Sequence, residues 1–272
     1  MPSPEVGVDG TAGPVLVERR GAVAVLTLNR PARYNAIDHA TVDALTGALD
    51  EIEADRNVRA VVLTGAGKAF AAGADIAFYA RADHGEFAAF TERCNALCDR
   101  IARCRVPVVA AVRGLALGGG FELVLACDVV VAERGAAFGL PEVTLGLLPG
   151  WGGTQRLTWH VGPTRARWLT MSGERLGAVA AEAAGIVTHL CEGDELVPRA
   201  LEVADLLAGR APLAVAAIRD AVVAAVHGGP EGSDGPGFRR EREALGELFA
   251  SADGREGITA FVEKRTPRFT GR

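Results

Sequence analysis

Apolar positions along the chain follow two regimes. Through the first two thirds, short apolar runs alternate with stretches of helical period; beyond about residue 194 the spacing is helical throughout. Residues 15–18 and 23–28 flank Arg19-Arg20-Gly21-Ala22 and predict a hairpin. Asp38 is placed to cap a helix running to about residue 55, with Val42, Leu45, Leu49 and Ile52 on one face. Residues 58–63 read as a buried strand, 64–68 as a turn, and 69–76 as a small, irregular segment whose backbone is accessible. A helix is expected over about 86–104, with Phe87, Phe90, Cys94, Leu97 and Ile101 on its apolar face.

The apolar run 106–112 predicts a strand. Gly118-Gly119-Gly120 is expected to follow it at a strand-to-helix junction, and 121–127 to open an apolar helix. Residues 128–132 form another short strand and lead through Ala137-Phe138-Gly139-Leu140 into Pro141-Glu142. After a second glycine cluster (Gly150, Gly152, Gly153) come short helices over 154–161, 163–171 and 178–184, then a last strand at 186–190. Helices are expected over 196–207, 212–226, 238–249 and 255–264, with a glycine-rich break at 228–237. The chain thus divides into a disordered tail (1–14), an α/β portion (15–193) and a helical region (194–272). Strand, turn and helix recur at Val58, Val106 and Asp128, a pattern that fits successive turns of a coil without being a strict repeat.

Composition narrows the classes. The chain has 272 residues, 49% hydrophobic and 23% charged, which suits a water-facing globular fold. Its net charge of −5 offers no basic field for nucleic acid. The most apolar segment, 115–132, is interrupted by Glu122 and Asp128 and reads as core rather than a membrane span. Residues 1–14 have neither a basic start nor an apolar centre, so no export or transit signal is expected and the expected compartment is the cytoplasm. The odd set Cys94, Cys98, Cys104, Cys127 and Cys191 fits reduced thiols. Neither the cysteines nor the five histidines have metal-ligand spacing, so no metal is expected.

Two carboxylates stand in apolar, glycine-flanked surroundings. Glu122 sits in the first turn after the glycine triplet, and Glu142 follows Pro141 at another helix start. Burial raises a carboxyl pKa toward the range useful for proton transfer, and two such groups can divide acid and base work. Taken singly, each is equally a helix-start acid favoured by the macrodipole. The glycine triplet, taken alone, is more often a device for tight packing than for catalysis. The free N–H groups there, and those of 70–75, also suit an oxyanion.

Longer motifs carry a resemblance. Leu28-Asn29-Arg30-Pro31, Ala69-Phe70-Ala71-Ala72-Gly73-Ala74-Asp75-Ile76, Arg113-Gly114 with Gly118-Gly119-Gly120-Phe121-Glu122-Leu123, Phe138-Gly139-Leu140-Pro141-Glu142, Leu148-Pro149-Gly150-Trp151-Gly152-Gly153-Thr154-Gln155-Arg156-Leu157 and Phe261-Val262-Glu263-Lys264-Arg265 occur in order across 15–265. In this the chain resembles the crotonase (enoyl-CoA hydratase/isomerase) family. The resemblance implies an α/β fold, a crotonase-like spiral of ββα turns followed by C-terminal helices that support a homotrimer or hexamer. It implies hydration of a 2-enoyl-CoA to a 3-hydroxyacyl-CoA, without metal or redox cofactor. The amides of Ala74 and Gly119 would form the oxyanion hole, Glu122 would act on the water side, Glu142 would exchange a proton at C2, and Gly150 would offer an amide near the water. Ala71, Ala72 and Gly73 would bind CoA through backbone. Arg30, Arg33 and Lys68 would meet its phosphates, and Lys264 with Arg265 would reach a neighbouring subunit's CoA. Both acids are present, which favours hydration over isomerisation or another lyase reaction, and argues against a non-catalytic acyl-CoA-binding protein. Trp151 stands where typical hydratases carry a small residue; it either reshapes the acyl pocket or simply packs.

Overall fold

The computed structural model describes residues 13–228 and 236–272. The expected tail and most of the glycine-rich break lie outside these residues. β1 (Val15–Arg20) and β2 (Val23–Leu28) form the antiparallel hairpin. α1 (His39–Ala54) begins where Asp38 Oδ1 accepts the Thr41 N–H at 2.9 Å, and it buries Val42, Leu45, Leu49 and Ile52 as the spacing predicts. After β3 (Ala60–Gly65) come the single turn α2 (Ile76–Tyr79) and α3 (His84–Ala102), which opens with a reciprocal Asp83–Glu86 capping box.

The next segments differ from the expected junction. β4 (Val108–Val112) does not lead straight into the glycines. A turn at Gly114 (φ 56°) and a three-residue strand, β5 (Leu115–Leu117), intervene before α4 (Gly119–Leu125). A side chain at residue 114 would sit 2.0 Å from the Lys68 carbonyl, so the chain can leave one sheet for another there only through glycine. β6 (Val129–Glu133), β7 (Ala137–Gly139) and a 3-10 turn at Pro141–Leu145 repeat the passage.

α5 (Gly153–Ser172) is one element where two helices are expected. It breaks at Gly162 (φ 74°) before Pro163, so the two halves are the two predicted pieces. β8 (Leu176–Gly177), α6 (Ala178–Ala183) and β9 (His189–Cys191) follow, then α7 (Leu196–Ala208), α8 (Pro212–Gly228), α9 (Pro236–Ala250) and α10 (Ala252–Val262).

The main sheet runs β1-β2-β3-β4-β6-β9, parallel except at β1; a second sheet runs β5-β7-β8. β4 and β5, then β6 and β7, each place one strand in the main sheet and the next in the small one. A bridge between Ala71 and Ala116 adds the preceding turn to the small sheet. The result is a spiral. Alternation in β2 shows how the core divides: Ala24, Leu26 and Leu28 face α1, α3 and the small sheet, whereas Val23 and Val25 face α7. α7 covers that second face with Leu196, Ala200, Val203, Ala204 and Ala208. α8 is tied to the sheet through Arg219, whose Nε donates to Asp128 Oδ1 at 2.6 Å. No helix of the described residues is long and apolar enough to cross a membrane.

Candidate active site

Strand ends on one side of the spiral deliver four backbone segments to one cavity of about 480 Å³. Residues 72–74 follow β3, Gly118 and Gly119 follow β5, Pro141 and Glu142 follow β7, and Gly150 and Trp151 precede α5. The first two segments touch: a Cβ built on Gly73 would lie 3.1 Å from the Leu117 carbonyl and 3.6 Å from the Gly119 nitrogen. The Ala74 N–H has no acceptor recorded among the described residues, although its neighbours Gly73 and Asp75 are both bonded to Ile37. The Gly119 N–H opens α4 and has no helical carbonyl one turn earlier to bond. Two adjacent, uncommitted amides therefore line the cavity.

Glu122 projects from the first turn of α4 and is 1% exposed. Its Oε1 accepts the N–H of Trp151 and of Gly153, each at 2.7 Å. Those N–H groups belong to the start of α5, so the carboxylate sits at the positive end of that helix. Burial pushes its pKa up to about 7; the Gly153 and Trp151 N–H groups and Arg156 oppose the rise, while Glu142 adds to it. Glu142 is also raised by burial. Its Oε2 is buried without a hydrogen-bond partner in the protein, and its Oε1 lies against Gly118, 3.0 Å from a Cβ built there. An unpartnered buried carboxyl oxygen is costly in a resting fold and is useful where a substrate proton must pass.

The loop carrying Gly150 and Trp151 is held from behind. Arg156 is 6% exposed; its Nη1 donates to the Trp151 carbonyl at 2.8 Å and its Nη2 to Asp99 on α3. Asn95 Nδ2 donates to the Gly150 carbonyl at 3.3 Å. The Trp151 ring covers Gly119: a Cβ built on Gly119 would lie 1.9 Å from Cζ3 of the indole.

The structure thus gathers Ala72, Gly73, Ala74, Gly119, Glu122, Glu142, Gly150 and Trp151 around one cavity. Ala71 is fully buried beneath it, with its carbonyl accepting the Leu117 N–H. None of Arg30, Arg33, Lys68 and Lys264 lines the cavity. Arg30 is committed to Asp38 at 3.1 Å and Asp75 at 3.2 Å, so it clamps the 72–75 segment. Arg33, Lys68 and Lys264 are exposed, and Arg265 is paired with Glu256 and Glu263. Phe87, expected on the buried face of its helix, is half-buried and lines the cavity. Tyr79, Thr91, Leu145 and Leu148 line it as well, and sequence reasoning did not single them out.

Residues 18–272 match the enoyl-CoA hydratase/isomerase family. The chain belongs to this family. It is 40% identical over 258 residues to the probable enoyl-CoA hydratase of Mycobacterium tuberculosis, covering 95% of this chain and 98% of that protein. It is 41% identical to the 2,3-dehydroadipyl-CoA hydratase of Escherichia coli, covering 95% and 99% of the two chains. An enoyl-CoA hydratase structure from Geobacillus kaustophilus superposes with a TM-score of 0.88 at 42% identity, over 95% of this chain and 98% of that one. The spiral is therefore the fold of enoyl-CoA hydratases, and the family's members named here are hydro-lyases acting on acyl-CoA thioesters.

Proposed function

We propose that the cavity adds water reversibly to a 2-enoyl-CoA, giving a 3-hydroxyacyl-CoA. The observation that carries this reading is that two carboxyls, the buried Glu122 and the half-buried Glu142, share one cavity with the Ala74 and Gly119 amides. The thioester oxygen is held by the two N–H groups and becomes an enolate oxygen as water attacks C3. Such preorganised donors are each worth about 3 kcal/mol in the transition state. Glu122, with its pKa near neutrality, takes the proton from the water, and Glu142 delivers one to C2. The Gly150 amide lies on the loop beside Glu122 and orients the water. No step calls on a metal or redox cofactor.

CoA binds along 72–74, above the buried Ala71, with the exposed Arg33 and Lys68 available to meet its phosphates. The exposed apolar residues Ile218, Val222, Leu245, Phe249, Phe261 and Val262 on α8–α10 support assembly into a homotrimer or hexamer. The five free, buried cysteines suit the reducing cytoplasm. Loss of the conjugated-thioester absorbance of crotonyl-CoA on adding purified protein is the expected result. If conjugation persists, or appears instead from a 3-enoyl-CoA, the hydratase reading fails, the latter outcome favouring an isomerase.

A further inference from the structure

Beyond the two carboxyls and two amides, one wall of the cavity is aromatic. Tyr79, Phe87 and Trp151 line it, and Phe90 stands behind them. Tyr79 meets Phe87 edge-on at 4.9 Å and Phe90 at 6.2 Å, and Phe90 meets Trp151 edge-on at 6.0 Å. Each ring packs edge-on against the next, so the wall is one continuous aromatic surface. Trp151 is 3% exposed and lies directly over Gly119, whose amide would hold the thioester oxygen. An acyl chain leaving that carbonyl past the glutamates meets the indole at once.

The charge of the lining is one-sided. Among the described residues the cavity contains two carboxyls, Glu122 and Glu142, and no lysine, arginine or histidine. Arg156 stays behind the loop, bonded to the Trp151 carbonyl and Asp99. The Tyr79 phenol is pushed up to about 12, mainly by burial and further by Cys94 and both glutamates, so it is a neutral hydroxyl. A further negative charge brought here would be desolvated with only the neutral Tyr79 and Thr91 hydroxyls to meet it and no cation.

We propose that Trp151 and Tyr79 set the acyl specificity of the site: they close its inner end with aromatic surface, admit a compact uncharged acyl group, and shut out an acyl chain that ends in a carboxylate. This rests on the hydratase reading for the position of the thioester carbonyl. Trp151 supplies steric closure through its side chain while its backbone N–H keeps its separate bond to Glu122. Tyr79 supplies a neutral hydroxyl, which can donate a hydrogen bond but brings no positive charge to balance an anion.

The test compares kcat/KM of the full-length protein on crotonyl-CoA, 2-hexenoyl-CoA and 2,3-dehydroadipyl-CoA. The last two share a six-carbon chain and differ in whether it ends in methyl or carboxylate. A preference of at least about 100-fold for 2-hexenoyl-CoA is expected from the uncompensated charge. Trp151→Ala should raise the 2-hexenoyl to crotonyl ratio by about tenfold or more; Trp151→Phe, a smaller change, should move it the same way and covers a folding failure of the alanine variant. Calorimetric binding of hexanoyl-CoA against adipyl-CoA reads the same preference without turnover, so failure of the hydratase reading leaves it measurable. Adipyl-CoA bound as well as hexanoyl-CoA, 2,3-dehydroadipyl-CoA turned over as well as 2-hexenoyl-CoA, or a chain-length ratio unmoved in a folded Trp151 variant would each overturn the proposal.

Discussion

The backbone nitrogen of Trp151 lies 2.7 Å from Oε1 of Glu122, while the indole of the same residue covers Gly119. One residue thus fixes the carboxyl through its main chain and covers the α-carbon of Gly119 through its side chain. The two tasks separate on substitution, because a change of side chain leaves the N–H in place. Glu122 itself can be changed with equal economy. In Glu122→Gln the amide oxygen still accepts from Trp151 and Gly153, so the loop stays ordered while the proton acceptor is lost. Turnover of crotonyl-CoA should fall at least ~100-fold with acyl-CoA affinity kept within a few fold, measured by steady-state kinetics beside calorimetry.

The raised pKa of Glu122 gives two pH effects of defined sign. As the water-side base it must be ionised, so kcat/KM should fall as pH drops through about 7, and this limb should vanish in Glu122→Gln. Stability runs the other way. The folded carboxyl titrates near 7 against an ordinary value of 4.5, so between those values the folded state holds more protons than the unfolded one. Stability therefore declines as pH rises through this window, by up to about 3 kcal/mol from this group. Thermal unfolding should show Glu122→Gln more stable than the parent at pH 8, with the gain shrinking toward pH 5. An equal gain at both pH values would contradict the raised pKa.

Much of this site was legible in the chain because its parts are local. The Asp38 cap, the four buried residues of α1 and the glycine triplet before Glu122 are patterns within one or two turns. β5 and β8 were not legible, since three and two residues carry no readable period. Tyr79 belongs to a single helical turn of four residues, again too short to show a face. Arg30 and Arg156 were opaque for another reason. Their partners Asp75 and Asp99 lie 45 and 57 positions away, and an arginine in sequence looks the same whether it meets solvent or clamps a loop.

The contact between Gly119 and Trp151 predicts a coupled pair. Gly119→Ala places a methyl 1.9 Å from an indole carbon, so either the ring or the α4 start must move. Activity should drop by at least ~100-fold through displacement of the amide. Trp151→Ala removes the obstacle. The double variant should recover much of the loss relative to Gly119→Ala, whereas additive losses would show that the indole contact is not what makes the methyl harmful. Kinetics on all four proteins of the cycle read this directly.

Arg156 offers a separate handle on Glu122, through charge rather than shape. Its side chain is 7% exposed, whereas that of its partner Asp99 is 56% exposed, so the guanidinium is the buried member of the pair. It bonds the carbonyl of Trp151, whose nitrogen bonds Glu122, and its charge holds the Glu122 pKa down. Arg156→Gln removes that charge while retaining a donor. The acid limb of the pH–rate profile should then move to higher pH, and stability should fall by about 2–4 kcal/mol as the Trp151 carbonyl and Asp99 lose a charged partner. Asp99→Asn keeps the guanidinium and, at an exposed partner, should leave the limb nearly in place. A role in packing alone would lower stability in Arg156→Gln without shifting the limb, so the pH profile, measured beside thermal unfolding, decides between the two.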